Sequence, residues 1–202
     1  GVTANRVAIP SLLATSAVHH HLIGAGLRTA LGIVVETGEA REVHHFCLLA
    51  GYGAEAINPY LAFETLMDMK PDLPCDLSDE EIKTRYIKAI DKGILKIMSK
   101  MGISVISSYR GGYNFETIGL SRTLVAEVFP GMPSRISGIG LTGIQRRLLK
   151  LHDDAYAHEV VTLPIGGIYR YRHGGEAHAF EAGLIHTLQS AVATDSYQIY
   201  RR

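Results

Sequence analysis

The sequence has no tryptophan, two cysteines and no net charge, its 20 basic residues being balanced by 20 acidic ones. The two cysteines stand far apart without C-x-x-C spacing, so they supply neither an iron–sulfur cluster nor a thiolate zinc site. Cys47 lies in the apolar run FCLLA and is expected to be a small buried hydrophobe. Cys75 follows Pro74 in an expected loop, and both are read as reduced thiols rather than a disulfide. Electroneutrality removes the electrostatic case for nucleic acid or an anionic membrane. Long apolar runs are missing too. VAIPSLLATSAV is broken by Pro10, is followed by His19-His20-His21, lacks a small-x-small cleavage pattern and is too short to span a bilayer. With Gly1 at its head, the chain reads as the middle of a longer protein. The missing tryptophan excludes nothing.

What is present is the composition of a globular protein: 202 residues, 47% hydrophobic and 20% charged. Pro10 and Ser11 ahead of Leu12, Leu13, Ala17 and Val18 predict a helix over residues 9–24, closed by Gly24 and Gly26. Leu31 to Val35 predicts a buried strand. Thr37-Gly38 then turns the chain into a helix over 39–50. Gly51 and Gly53 break that helix, and Pro59 opens the next, ending about Met67. The proline-punctuated KPDLPCD at 70–76 is the best candidate for a linker. The strongest helix spans about 79–101: Ser78 and Glu81 have capping-box spacing, and Ile82, Tyr86, Ile90, Ile94, Ile97 and Met101 form one stripe. Gly102 suits a left-handed cap. A short strand is expected at 103–108, a helix from Ser121 through Phe129, loop over 130–143, a helix from Thr142 to about His158, and helices at 183–193 and 196–201.

Several clusters bear on chemistry. His19-His20-His21 invites a metal, but consecutive helical residues point about 100° apart and cannot converge on one ion. A metal would need His44, His45 or distant carboxylates. Gly138-Ile139-Gly140-Leu141-Thr142-Gly143 matches G-x-G-x-x-G, yet that fingerprint needs a strand just before it, and FPGMPSRIS reads as loop. Gly51-Tyr52-Gly53-Ala54-Glu55-Ala56 is a weaker match that follows a helix. Thr37-Gly38 at a strand end is the more serious candidate for phosphate, opposed by Glu39 and Glu42. Ser108-Tyr109-Arg110-Gly111-Gly112 offers a hydroxyl, a guanidinium and backbone to an anion. Tyr169-Arg170-Tyr171-Arg172-His173 has the stacking and charge of single-strand nucleic-acid binders, although one such cluster on a neutral chain fits an interdomain contact better. Each has an ordinary reading as a turn, cap or surface.

Four long segments carry a family resemblance: IPSLLATSAVHHHLIGAGLRT, VVETGEAREVHHFCLLAGYGAEAINPYLAFET, YIKAIDKGILKIMSKMGISVISSYRGG and YRYRHGGEAHAF. In sequence order these resemble the large subunit of glutamate synthase, with departures at Phe180-Glu181-Ala182 and at RGGYNFET. The resemblance implies an oxidoreductase that combines a glutamine amidotransferase domain, a central domain, an FMN-binding (β/α)8 domain with a 3Fe–4S cluster, and a β-helix. Ammonia from glutamine meets 2-oxoglutarate, and the iminoglutarate is reduced at FMN to glutamate.

The implied fold is α/β, helix-rich with a few short parallel strands resembling partial βα-barrel units. By motif order residues 1–70 resemble the end of the central domain, 71–77 a linker, and 78–202 the leading segment of the FMN-binding domain. The resemblance places the nucleophilic cysteine, the cluster cysteines and the flavin motif outside this stretch. No catalytic, cofactor or metal residue is therefore assigned, and the chain itself is expected to be inactive scaffolding that helps wall the ammonia route. Implied partners are the remaining domains, with a small subunit or ferredoxin, in cytoplasm or plastid stroma. The Gly26–Leu66 unit also resembles the last βα units of the flavin barrel, with the phosphate grip reduced to Thr37-Gly38. The alternative is a free-standing anion- or flavin-binding module; a histidine metalloenzyme is a third.

Overall fold

In the computed structural model, residues 2–74, 76–112, 114–156 and 164–201 are described. Pro10 stands at the head of α1 (Ser11–Gly24), where its missing N–H costs nothing. Small polar residues, Thr15 and Ser16, are buried on α1. Each hydroxyl donates to a backbone carbonyl: Thr15 Oγ1 to Ser11 O at 2.7 Å, and Ser16 Oγ to Val128 O at 2.6 Å. Val18 of the expected apolar set is half exposed.

A 3₁₀ turn at Arg28–Ala30 leads into β1 (Val34–Glu36), α2 (Val43–Gly51), β2 (Ala56–Asn58) and α3 (Tyr60–Asp68). The pairing of β1 with β2 is parallel, with Val34 opposite Ala56, Val35 opposite Ile57 and Glu36 opposite Asn58. A parallel pair cannot be joined by a tight turn, and α2 is the crossover. The strand β2 goes unread in the sequence because its three residues lie between a glycine break and Pro59. Strand β1 starts at Val34 rather than Leu31, and the 39–42 stretch that reads as helix is irregular, α2 starting at Val43. The strand ending at Glu36 thus belongs to one parallel βαβ unit. Ile33, Val35, Ala40, Phe46, Leu49 and Ala54 form a core with Ile90.

A 3₁₀ turn at Lys70–Asp72 precedes α4 (Asp79–Met101). Cys75, expected in this loop, lies outside the described residues. The capping box is formed: Ser78 Oγ accepts from Glu81 N–H at 3.3 Å, while Glu81 Oε2 accepts from Ser78 N–H at 2.9 Å. Gly102 closes the helix at φ 70°. Ile82 and Ile90 are buried as the stripe requires, but Met98 replaces Met101 on the inner face. The strand expected at 103–108 is instead the single turn α5 (Ile106–Tyr109). The turn carries Tyr109 into full burial against Cys47 and Met98.

Then follow β3 (Ile118–Leu120), α6 (Arg122–Val128), β4 (Ile136–Ile139) and α7 (Leu141–Tyr156). Ser121 caps α6 as expected, its Oγ accepting from Leu124 N–H at 3.3 Å. Residues 130–143, expected as loop, contain β4. Local Gly, Pro and Ser content argued against a strand, but tertiary pairing with β3 overrides it. That parallel pair is irregular: Ile118 faces Ile136 and Leu120 faces Ile139, so β4 has one residue more than β3 between these pairs. A Cβ on Gly138 would collide with the Gly119 carbonyl oxygen. Residues 157–163, the end of the expected helix to His158, lie outside the described residues.

The chain divides into two units, Gly1–Asp153 and Asp154–Arg202. The second holds α8 (Ala182–Ala193) and α9 (Tyr197–Tyr200), near the expected bounds. Among the described residues no helix is long and apolar enough to cross a membrane.

The α2–α4 contact is close because Gly93 on α4 has no side chain. A Cβ there would come too close to Val43, whose stiff β-branched side chain cannot swing away. Gly93→Ala should therefore cost about 1–3 kcal/mol by overpacking, against the gain of about 1 kcal/mol expected from helix propensity alone. Val43→Ala in the same chain should recover most of that loss in denaturant unfolding. A stabilising Gly93→Ala would refute the contact.

Candidate functional site

The two ends of the β1–β2 pair differ in chemistry. At the C-terminal end, where α/β folds usually bind ligands, sits Thr37-Gly38. Thr37 is buried, its N–H donates to Asn58 O at 3.0 Å, and its Oγ1 accepts from Glu39 N–H at 3.0 Å. Glu39 Oε2 in turn accepts from Ser11 N–H at 2.6 Å, which places a carboxylate on the positive end of α1. Leu61 and the Tyr60 hydroxyl crowd Gly38 from above. The carboxylate at this turn is the protein's own, and the Thr37 and Glu39 N–H groups a phosphate would need already donate within the chain.

The N-terminal end holds a charged cluster that no single sequence motif announced. Arg28, from the 3₁₀ turn, spends its guanidinium on four acceptors. Its Nε donates to His19 Nδ1 at 2.9 Å and Nη1 to Leu31 O at 2.6 Å, while Nη2 donates to Gly53 O and Glu55 Oε1, each at 3.0 Å. Arg110 Nη1 also reaches Glu55 Oε1 at 3.0 Å. Glu55 is held by its own backbone N–H, which donates to Ile33 O at 2.8 Å. Hydrogen bonding from Arg28, helped by the charge of Arg110, holds the Glu55 carboxyl below the usual range.

This cluster joins two segments that the sequence offered separately. Gly51–Ala56 supplies Glu55 and Ser108–Gly112 supplies Arg110, and Gly111 N–H donates to Gly51 O at 2.9 Å. The glycines give close backbone approach, and Arg110 meets a carboxylate of the chain. A cavity of about 520 Å³ opens beside Arg28, Glu55 and Arg110, and a second of about 230 Å³ lies beside Tyr52 and Phe115. Burial pushes the Tyr52 hydroxyl up to about 12, so it stays neutral.

The remaining candidates fall into place singly. His20 Nδ1 lies 2.8 Å from Ser16 O, at a helix end as the hydrogen-bonding reading requires. His45 caps α2, its Nδ1 accepting from Arg41 N–H at 3.1 Å. Among the described residues no group of three or more His, Cys, Asp or Glu is placed to hold a metal ion. Gly138–Gly143 overlaps the end of β4, where loop was expected, and runs into α7. Its glycines answer to packing: Gly138 against Gly119, Gly143 against Ile139. In the second unit Tyr169 and Tyr171 are exposed, and Arg172 Nη1 donates to Ile165 O at 3.3 Å.

The pairing of Arg28 with Glu55 was invisible in the sequence because 27 residues separate them. Glu55 has a depressed pKa in the fold, so its contribution is present above its ordinary value near 4.5 and is lost as pH falls through the lower folded value. Glu55→Gln should melt lower than the parent at neutral pH, and the difference should close as pH drops below about 4.5. Thermal unfolding of both chains across that range checks it; a constant difference contradicts the ion-pair assignment.

Residues 1–121 match the glutamate synthase central domain family. The chain is 56% identical over 198 residues to the glutamate synthase [NADPH] large chain of Azospirillum brasilense, covering 98% of this chain and 13% of that one. The Bacillus subtilis (strain 168) glutamate synthase [NADPH] large chain is 47% identical over 195 residues, covering 96% and 13%. The ferredoxin-dependent glutamate synthase of Pyropia yezoensis is 42% identical over 203 residues, covering 94% and 13%. The chain thus spans about an eighth of the length of these relatives. It belongs to the glutamate synthase family, with its first 121 residues in the central domain.

Proposed function

We propose that this chain is a structural segment of a glutamate synthase large subunit, running from the central domain toward the FMN-binding domain. The parent enzyme makes glutamate from glutamine-derived ammonia and 2-oxoglutarate, using FMN and a 3Fe–4S cluster. Neither group is held by this segment, which keeps the surrounding domains in register. The observation that carries the reading is where the polar groups go. Arg28, Arg110, Glu55, Thr37 and Glu39 all have partners within the chain and tie its elements together.

The exposed apolar surface supports the same role. Parallel strands are ordinarily covered on both faces, yet Val34 on β1 is 72% exposed, Ile118 on β3 is 66% and Ile136 on β4 is 60%. In the second unit Leu184, Leu188 and Val192 line an exposed side of α8, and Ala191 is the buried residue of that helix. Faces of this kind belong against further polypeptide, and the remaining domains of the same large subunit are its natural source.

Purified alone, the chain should be colourless and should form no glutamate from 2-oxoglutarate, ammonia and a reductant. Flavin absorbance and a coupled glutamate assay measure both. A yellow preparation with stoichiometric FMN overturns the proposal.

A further inference from the structure

The side chain with the most unusual setting in the first unit is His19. Its Nδ1 accepts from Arg28 Nε at 2.9 Å, so the ring is neutral with its proton on Nε2. The ring lies directly on the backbone of Gly53, which has φ 112° and where any Cβ would strike Nδ1 and Cγ. It also lines both cavities of the cluster. The groups facing it come from several elements and are mostly basic. They are His20 on α1, its ring centroid 5.1 Å away, Arg28 on the 3₁₀ turn, and Arg110 after α5, with Glu55 as the one carboxylate of the cluster.

We infer that His19 and Arg28 form an acid-released latch that holds the 28–31 turn and the end of α1 against the β1–β2 unit. Protonation of His19 removes the acceptor for Arg28 Nε and places a further positive charge beside two guanidiniums that share one carboxylate. Arg28 must then turn away or the imidazolium must leave Gly53, and either motion frees the turn. Burial, then the charges of His20, Arg28 and Arg110, lowers the His19 pKa from its ordinary 6.5. The sign follows: the closed latch disfavours the proton, so it is intact above pH 6.5 and weakens as pH falls below it.

Hydrogen exchange of the full-length protein, read on peptides covering residues 19–31, tests the latch against the His19→Asn variant. Asn keeps an acceptor near the Nδ1 position and does not titrate. At pH 7.5 the two proteins should be equally protected. Below 6.5 the opening constant of the parent should rise by up to about tenfold per pH unit, and that of H19N should not. Peptides from α4 serve as the control and should keep their protection in both. Parallel profiles for parent and variant, or equal loss in the α4 peptides, overturn the inference. Should H19N fail to fold, the parent decides alone: a ratio of 19–31 to α4 exchange that is flat between pH 7.5 and 5 overturns it, and one that rises below 6.5 supports it.

Discussion

The first unit depends on the burial of α2 along most of its surface, His44 being its exposed residue. A helix that crosses between two parallel strands must cover them, and Phe46 and Leu49 do so in one core. The opposite flank carries Cys47 into a second core with Met98 and Tyr109. Val43 fits the space left by Gly93 on α4, and the Gly51 carbonyl at the other end accepts from Gly111. Helix α2 therefore has no solvent-facing stripe of usual width, which explains its apolar composition. A fully buried Leu or Phe side chain contributes roughly 1.5–3 kcal/mol, so this helix outweighs any surface ion pair in the unit.

Polar groups were left to do the stitching. Glu39 reaches back to α1, Ser16 of α1 reaches Val128 at the end of α6, and Arg28 joins the 3₁₀ turn to the chain around Gly53 and Glu55. Each interaction joins segments distant in sequence, and several use a backbone group as partner. Backbone partners have no residue signature. This pattern supports the proposed structural role.

That pattern also explains what was legible beforehand. Helix α4 was readable almost to the residue because its capping box, apolar stripe and glycine cap are all local. Pro10, Pro59 and Ser121 marked helix starts for the same reason. The strands β2, β3 and β4 were unreadable: each has three or four residues, and their pairing partners lie 18–22 positions away. At Ile103–Ser108, β-branched residues suggested a strand where burial of Tyr109 demanded a turn. The site followed the same rule. Glycine segments 51–53 and 111–112 stood out singly, but their meeting through Arg110 and Glu55 is tertiary.

Membership of the glutamate synthase family and this placement of polar groups support the proposed account, in which the segment is a frame and ligand chemistry belongs to polypeptide beyond it. A density map of the full-length protein with flavin and 2-oxoglutarate bound tests that claim most directly. The account predicts no ligand atom within hydrogen-bonding distance, about 3.2 Å, of Thr37, Arg28, Glu55 or Arg110. A phosphate seated on Thr37-Gly38, or a carboxylate displacing Glu55 from Arg28 and Arg110, would contradict it.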